Sequence, residues 1–522
     1  MARRARAEAA QPVTTAARLG AIIKSARDTM RKDRGLSGDL DRLPALTWLM
    51  FLKFLDDLER IREEEDALAG GRYVPAIEPP YRWRDWAADP AGMTGDDLIA
   101  FVNNDEATRP DGTRGPGLFT YLRGLQGGNG GDRRDVIAKV FRGTVNRMIS
   151  GHLLREVINK VDGIHFNSRD EIHTLGNLYE TMLREMRDAA GDSGEFYTPR
   201  PVVRLMVEVM NPRLGETILD PACGTGGFLV EAYRHLDSQV ERWEQRRQVQ
   251  RKSLFGGEAK PLPYLLAQMN LVLHGLEAPQ IDYGNSLRTR LTEIGDRDRV
   301  DVILTNPPFG GEEERGIRDN FPEDKRTSET ALLFLQLIMR KLRRPVRGRA
   351  PGRAAVVVPN GTLFGDGVCA RIKEELLREF NLHTIVRLPN GVFSPYAAIP
   401  TNLLFFDRSG PTTDVWYYEH PLPEGRKNYT KTQPLQFDEF APMLAWWSAR
   451  EESERAWRVP AAELVANGCN LDLKNPRSPD EVEHRSPEEL AESIIEKERR
   501  ILELMSEIRE LVSERAPHAK TA

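Results

Sequence analysis

The sequence predicts an α/β protein with a mostly parallel sheet, preceded by an all-α domain and followed by a coiled-coil-type helix. In its middle, short β-branched runs alternate with helical segments, which is the pattern of βαβ units. Before and after that part, apolar residues recur at helical spacing. We predict an N-terminal helical domain over 1–165, the α/β domain over 166–410, an extension of it over 411–480 and the terminal helix over 481–522.

Composition bounds the class of protein. The chain has 522 residues, 29% of them charged, and a formal net charge of −5; a lone sequence-specific DNA-binding protein is more often basic. Three widely separated cysteines form no CxxC pair, so neither a disulfide framework nor a metal site is expected. The N-terminus lacks a secretory signal, and the longest apolar run, Trp48 to Leu55, is too short for a membrane span. These features predict a cytoplasmic protein with no membrane partner.

Residues 19–164 read mostly as helix. Apolar residues repeat on one face from Leu19 to Met30 and again from Leu46 to Ile61. The loop Gly127–Gly131 is not followed by the Lys-Ser/Thr pair of a phosphate-binding loop. We therefore expect a helical domain without chemistry of its own.

The α/β part contains six predicted strands, and after Asp407 the chain is expected to be polar and irregular, through Trp416-Tyr417-Tyr418. The predicted strands are Glu216 to Leu219, Ser253 to Gly256, Val300 to Leu304, Ala354 to Val358, Thr384 to Leu388 and Asn402 to Phe406.

A stiff turn follows the third of these strands, with the sequence Asn306-Pro307-Pro308-Phe309. In open α/β sheets, ligands bind beyond the carboxyl ends of the strands. Two prolines fix the backbone and leave carbonyl acceptors, with an amide before them and an aromatic ring after. This arrangement suits a flat heterocycle bearing an amine, although the motif alone also fits an ordinary rigid turn.

A glycine-rich turn follows the first strand: Asp220-Pro221-Ala222-Cys223-Gly224-Thr225-Gly226-Gly227. It matches neither the triphosphate-binding nor the dinucleotide-binding pattern. Its glycines allow a ligand to approach the main chain closely, and the leading acid suits a ligand with a positive end, such as the amino group of a methionine moiety.

Two further residues extend this predicted binding site. Glu258 ends the second strand, where an acidic side chain grips ribose hydroxyls; a surface glutamate is the alternative. Asn285 follows a short strand-like piece and could reach an adenine ring of the same ligand, although an asparagine in a Gly-Asn turn often needs no ligand.

Taken together, these motifs resemble those of amino-directed DNA methyltransferases that use S-adenosyl-L-methionine. Their order resembles the gamma arrangement of the class. The resemblance implies a Rossmann-like methyltransferase core and an additional cofactor-contacting segment before the glycine turn. The implied cofactor-binding residues are Glu195, Phe196, Tyr197, Thr198, Pro199, Arg200, Asp220, Gly224, Thr225, Gly226, Gly227, Glu258 and Asn285.

The resemblance extends over nearly the whole chain to the methylation subunits of type I restriction–modification systems. It rests on Gly35-Leu36-Ser37-Gly38-Asp39-Leu40, Leu46 to Leu55, Val358-Pro359-Asn360-Gly361, Leu388 to Tyr396, Thr401 to Phe406 and Asn470 to Pro476. Asn285 departs from the pattern, since many relatives carry Asp there. The family implies duplex DNA as substrate, two methylation subunits for each specificity subunit, and a restriction/translocase subunit as a further partner.

The last segment predicts a helix that begins with a capping box at Ser486-Pro487-Glu488-Glu489. Its apolar seam, about three heptads long, suits either a partner helix or the chain's own domain. The seam residues are Ala491, Ile494, Ile501, Met505, Ile508 and Val512.

The catalytic residues implied are Asn306, Pro307, Pro308 and Phe309. The Asn306 side-chain oxygen and the Pro307 carbonyl would accept the two N–H bonds of adenine N6, and Phe309 would stack on the flipped base. Three alternatives stay open: a methyl acceptor in RNA or a glutamine amide, a non-catalytic scaffold subunit, and a self-sufficient N6-adenine methyltransferase.

Overall fold

The computed structural model describes residues 16–68, 70–71, 73–127, 133–164, 198–393, 400–430 and 432–477, with 495, 498–499, 501–502 and 504–506 near the C-terminus. The chain divides into two compact units, Met1–Leu473 and Lys474–Ala522. Among the described helices, none combines the length and apolar character that a membrane span requires.

The N-terminal part of the first unit is helical. Its helices are α1 (Ala16–Met30), α2 (Asp39–Leu68), α3 (Trp83–Trp86), α4 (Gly95–Asn103), α5 (Leu118–Arg123), α6 (Arg133–Arg142) and α7 (Gly151–Asp162). Large rings such as Trp48, Phe51 and Phe141 fill its core, because the helices turn their apolar faces inward.

The expectation of an all-α domain is wrong at one place in this part. Strands β1 (Glu106–Thr108) and β2 (Arg114–Pro116) form a short antiparallel hairpin. Asp111 accepts a hydrogen bond from the Thr113 amide, and Gly112 has a φ of +78°. Strands of three residues are too short to show an alternating pattern, so the turn residues were the available signal.

The rest of the unit is built on a nine-stranded sheet with the order β11-β10-β8-β9-β7-β6-β3-β4-β5. Its strands are β3 (Ile218–Asp220), β4 (Leu254–Glu258), β5 (Gln280–Tyr283), β6 (Val302–Thr305), β7 (Arg353–Pro359), β8 (Asn381–Leu388), β9 (Thr401–Asp407), β10 (Asp414–Glu419) and β11 (Ala456–Pro460). Five of its eight strand pairings are parallel. Strand β9 runs antiparallel to both neighbours, and β11 runs antiparallel to β10.

Helices cover both faces of the sheet and bury two apolar clusters against it. They are α8 (Arg200–Met210), α9 (Gly227–Asp237), α10 (Trp243–Gln248), α11 (Pro261–Leu273), α12 (Arg315–Arg318), α13 (Thr330–Lys341), α14 (Asn360–Phe364), α15 (Val368–Glu379), α16 (Ala441–Ser448) and α17 (Ala461–Ala466). This part of the chain also contains one π-helical turn and several 3-10 turns. The π-helical turn is Val249–Ser253, and the 3-10 turns are Ser286–Arg288, Leu291–Glu293, Asp296–Asp298, Glu323–Lys325 and Phe437–Phe440.

Each of the six predicted strands overlaps an observed one. In chain order, the observed strands are β3, β4, β6, β7, β8 and β9. The irregular structure expected after Asp407 is wrong, because β10 and β11 extend the sheet there. Val415 and Tyr417 on β10 are fully buried. The run Val415-Trp416-Tyr417-Tyr418 is rich in residues that favour strands, and its polar surroundings obscured that signal.

The predicted coiled-coil seam falls largely outside the described residues, which include neither Ala491, Ile494, Ile508 nor Val512. Of its other members, Ile501 and Met505 are both exposed. The coiled coil therefore stays a prediction.

Candidate active site

The site lies where the strand order of the sheet reverses. From β3 the chain proceeds outward through β4 to β5, and it then returns to place β6 on the other side of β3. The carboxyl ends of β3 and β6 are therefore neighbours at a topological switch point, where α/β sheets bind ligands. Asp220 ends β3 and Thr305 ends β6, and the Thr305 hydroxyl donates to Asp220 Oδ1 at 2.7 Å.

Asp220 is an acid held almost entirely away from water. Its side chain is 1% exposed, and the Ala222 amide also donates to Oδ1, at 3.2 Å. Burial raises the pKa of Asp220 to about 7, although the hydrogen bonds from Thr305 and Ala222 favour the charged form. The Asp220 carboxyl therefore ionises near neutral pH, and a positively charged group bound beside it would favour the ionised form.

The glycine turn after β3 wraps around Glu258, the last residue of β4. The Gly224 amide donates to Glu258 Oε2 at 2.9 Å, and the Lys260 amide donates to Oε1 at 2.8 Å. Gly224 and Gly226 have φ of +53° and +79°, a conformation that favours glycine. Burial also raises the pKa of Glu258, against these two backbone hydrogen bonds.

Arg200 lies against the end of the same turn. A Cβ atom added to Gly227 would overlap the Arg200 guanidinium, which shows how closely the two residues approach each other. Arg200 begins α8 and Gly227 begins α9. The segment before the glycine turn and the turn itself therefore meet in space, as their shared prediction as cofactor-contacting residues requires.

The two polar atoms of the Asn306 side chain differ in their hydrogen bonding. Its Nδ2 donates to the Thr198 hydroxyl at 3.0 Å. Its Oδ1 is buried and has no hydrogen-bond partner among the described residues. A buried acceptor without a hydrogen-bond donor costs folding free energy, so this oxygen is a candidate to accept a hydrogen bond from a ligand.

Phe309 presents a half-buried ring at the end of the same turn. The ring packs edge-on against Phe393, with centroids 5.7 Å apart and planes at 67°. Phe393 follows β8, whose carboxyl end lies at the same edge of the sheet as that of β6. The two rings form one aromatic pair at this edge of the sheet.

The side-chain oxygen of Asn285 already accepts a hydrogen bond within its own turn. Oδ1 accepts from the Leu287 amide at 2.9 Å, and Nδ2 donates to Glu313 Oε2 at 3.1 Å. The predicted adenine contact of Asn285 therefore stays a prediction, and the carboxylate of Glu313 stands beside it. Sequence reasoning did not single out Glu313, which follows β6 within a run of three glutamates that carries no motif.

Many of the predicted residues line one cavity of about 360 Å³. They are Thr198, Arg200, Asp220, Gly224, Thr225, Gly227, Glu258, Asn285, Asn306 and Pro308. Pro199, Gly226, Pro307 and Phe309 are not part of the lining, and Glu195, Phe196 and Tyr197 lie outside the described residues. Sequence reasoning missed Ser286, whose hydroxyl donates to the Pro221 carbonyl at 2.6 Å, and Thr305. Both are single polar residues without a motif of their own.

Comparison with known proteins decides the family. The model of the N-6 DNA methylase family matches residues 170–485, and that of the HsdM N-terminal domain matches residues 19–161. The methylase subunit of the Escherichia coli type I restriction enzyme EcoEI is 46% identical over 95% of this chain and 97% of its own length. This chain belongs to the N-6 DNA methylase family.

Solved structures agree with this assignment to the N-6 DNA methylases. A modification subunit from Vibrio vulnificus YJ016 superimposes with a TM-score of 0.86 at 69% identity, covering 91% of this chain and all of that one. A chain from a type I restriction–modification system superimposes with a TM-score of 0.73 at 40% identity, covering 96% of this chain and 99% of that one. The predicted relation to type I methylation subunits is confirmed, and the chain is a DNA methyltransferase of that group.

Proposed function

We propose that this chain transfers a methyl group from S-adenosyl-L-methionine to the N6 amine of a flipped-out adenine in duplex DNA, at sites chosen by a separate specificity subunit. The observation that carries the proposal is the buried, unpartnered Oδ1 of Asn306 beside the cavity that Asp220 and Glu258 also line. The family membership supports the reaction type.

The cavity suits S-adenosyl-L-methionine in size and in chemistry. Its volume of about 360 Å³ falls within the range of small-molecule sites, roughly 300–1,000 Å³. Asp220 would hold the positively charged methionine end, and Glu258 the ribose hydroxyls. The glycine turn keeps side chains out of the space between them. When bound, this cofactor supplies a methyl group on a sulfonium, from which a neutral thioether is a good leaving group.

Asn306 would hold the methyl acceptor. Its Oδ1 accepts one N–H bond of the adenine amine, and the Pro307 carbonyl accepts the other. Two acceptors on one side of the nitrogen draw it out of conjugation with the ring and orient its lone pair. The nitrogen gains the methyl group as the carbon–sulfur bond breaks and a neutral thioether leaves, and the methylated amine then releases one proton to solvent. That amine is cationic and acidic, so no strong base is required, and catalysis consists mainly of positioning and electrostatic stabilisation.

Phe309 would hold the base itself. An adenine inside a duplex cannot reach a cavity at the edge of the sheet, so it has to leave the stack. The Phe309 ring, braced by Phe393, offers a face for the flipped base next to the Asn306 oxygen. Aromatic stacking is worth about 1–3 kcal/mol per base.

We further propose that the parts of the chain divide the work. Residues 166–410 with the extension 411–480 carry out the chemistry, while 1–165 and the terminal helix 481–522 serve assembly with the specificity subunit. A net charge of −5 gives the isolated chain little attraction for DNA phosphates. The complex would contain two copies of this chain for each specificity subunit and would recruit a restriction/translocase subunit for cleavage.

The proposal is tested with the full chain purified together with its specificity subunit. We expect methyl transfer from labelled S-adenosyl-L-methionine to duplex DNA, and none to single-stranded RNA or to protein. Asn306→Ala should abolish transfer while calorimetry shows a nearly unchanged dissociation constant for the cofactor. Transfer to RNA or to a glutamine amide would replace the proposed acceptor, and failure to bind the cofactor would indicate a scaffold subunit.

The dependence on a partner is tested by omitting it. The isolated chain should bind duplex DNA weakly, without sequence preference, and with strong salt dependence. Tight, sequence-specific binding by the isolated chain would show instead that it is a self-sufficient methyltransferase.

A further inference from the structure

We propose that Thr198 is a positioning residue for methyl transfer: its hydroxyl anchors the amide nitrogen of Asn306 and so holds the amide oxygen in place for the target amine. This inference rests on the proposed function, and it gives Thr198 a role different from the cofactor contact that the sequence predicts for it.

The geometry places the two ends of one amide in different roles. Nδ2 of Asn306 is engaged by the Thr198 hydroxyl at 3.0 Å, while Oδ1 is buried and has no partner in the described part of the chain. An amide in this position, without the hydroxyl, would have two unsatisfied ends and would be free to rotate. With the hydroxyl present, the nitrogen is satisfied and the oxygen is the end left for a ligand.

Thr198 is itself well supported. It lies two residues before Arg200, where α8 begins, and α8 packs against β6 and β7. Val202, Val203 and Met206 on α8 are fully buried in the same apolar cluster as Val302 and Leu304 of β6. The anchor and the turn that carries Asn306 are therefore braced by one core, although 108 residues separate them in sequence.

The segment that carries Thr198 faces two parts of the cavity. Arg200 lies against Gly227 at the end of the glycine turn, whereas the Thr198 hydroxyl faces Asn306. Thr198 is thus bonded to the residue that, under the proposed function, holds the methyl acceptor, whereas Arg200 is the residue that meets the glycine turn. Removal of the Thr198 hydroxyl should therefore change the rate of methyl transfer more than the affinity for the cofactor.

The decisive variant is Thr198→Val, which keeps the shape of the side chain and removes the hydroxyl. In the complex with the specificity subunit, we expect its single-turnover rate of DNA methylation to fall by about tenfold to 100-fold, the scale of a misplaced reacting group. The dissociation constants for S-adenosyl-L-methionine and for DNA should stay within about twofold of wild type. Thr198→Ser retains the hydroxyl and should restore most of the rate.

A matched control removes a comparable hydroxyl elsewhere. The Thr120 hydroxyl donates to Asp105 Oδ1 at 2.9 Å in the helical part, away from the cavity. Thr120→Val should leave the methylation rate unchanged. If Thr198→Val does not fold, as judged by its thermal transition, Thr198→Ala provides a smaller variant without the hydroxyl, and the same split between rate and affinity applies to it.

Each outcome decides between the claims. If wild type methylates DNA, Asn306→Ala does not, and Thr198→Val keeps the wild-type rate, the positioning role is overturned and the proposed function stands. A loss of cofactor affinity equal to the loss of rate, or a Thr198→Ser variant as slow as Thr198→Val, would overturn it as well. If wild type transfers a methyl group to no acceptor, both the function and the anchor are wrong.

Discussion

Asp220 shows how a single buried acid links the site to pH. It is 1% exposed, its pKa is raised to about 7 by burial, and the nearby Glu258 carboxyl opposes its ionisation further. The sequence indicated an acid for the positive end of a ligand. It did not indicate the Thr305 hydroxyl, which is 85 residues away and reaches Asp220 only because β3 and β6 are neighbours.

The first prediction concerns stability without cofactor. Because the pKa of Asp220 is higher in the folded state than its ordinary value of 3.8, its protonated form favours folding. That contribution is complete below pH 4 and is lost as pH rises through about 7. Asp220→Asn, which cannot ionise, should raise the melting temperature relative to wild type at pH 8 more than at pH 6. The exposed hairpin variant Asp111→Asn is the control and should show no such gain.

The second prediction concerns cofactor affinity. The ionised form of Asp220 attracts the positive end of S-adenosyl-L-methionine, so binding should tighten as pH rises from 6 to 8 around the Asp220 pKa of about 7. Calorimetry across this range measures it, and Asp220→Asn should bind more weakly and lose most of the dependence. An unchanged dissociation constant from pH 6 to 8 in wild type would contradict this role for Asp220.

At the scale of elements, the turn after β8 supports the aromatic wall of the site. Gly391 has a φ of +82°, and a Cβ atom there would overlap the carbonyl oxygen of Tyr429. Two residues later, Phe393 packs against Phe309. The close approach of two loops therefore fixes the ring on which we propose that the base stacks.

The third prediction uses this turn. Gly391→Ala should destabilise the protein by about 1–2 kcal/mol for the left-handed conformation and by about 1–3 kcal/mol more for the overlap, and it should slow methylation by displacing Phe393. Gly425→Ala is the matched control, since Gly425 has a φ of +78° with open space where its Cβ would lie. Equal losses in the two variants, measured by chemical denaturation, would show that the overlap is relieved without cost.

Elements with strong local signals could be predicted from the sequence. The apolar run Val302-Ile303-Leu304, followed closely by two prolines, indicated β6. The position of β9 between β7 and β8 could not be predicted, because its antiparallel direction depends on partners far away in the chain. The close pairing of Asn306 with Thr198 was hidden for the same reason.

At the scale of the whole first unit, α11 joins the helical part to the sheet. Leu265, Met269 and Leu273 are buried in the core of the helical part, whereas Ala267 and Leu271, on another face, are buried against the sheet. This one helix therefore contributes different side chains to two cores. The sequence of α11 is rich in apolar residues and has no pattern that indicates that its faces serve different cores.

The fourth prediction tests this shared helix. Met269→Ala removes a fully buried side chain from the helical core and should cost about 2–5 kcal/mol. Because Met269 belongs to the core of the helical part, that part should unfold first and become sensitive to protease. Leu271→Ala, at a similar cost, should destabilise the sheet side instead. Identical protease patterns for the two variants would contradict the division of α11 between two cores.

The most direct test of the whole account is to map modified bases in DNA from cells that express this chain with its specificity subunit. We predict N6-methyladenine at one defined sequence with the wild-type chain, and none with Asn306→Ala at equal expression. N6-methyladenine that persists in the Asn306→Ala cells, or a wild-type chain that leaves adenine unmodified, would contradict the claim that this turn performs the chemistry.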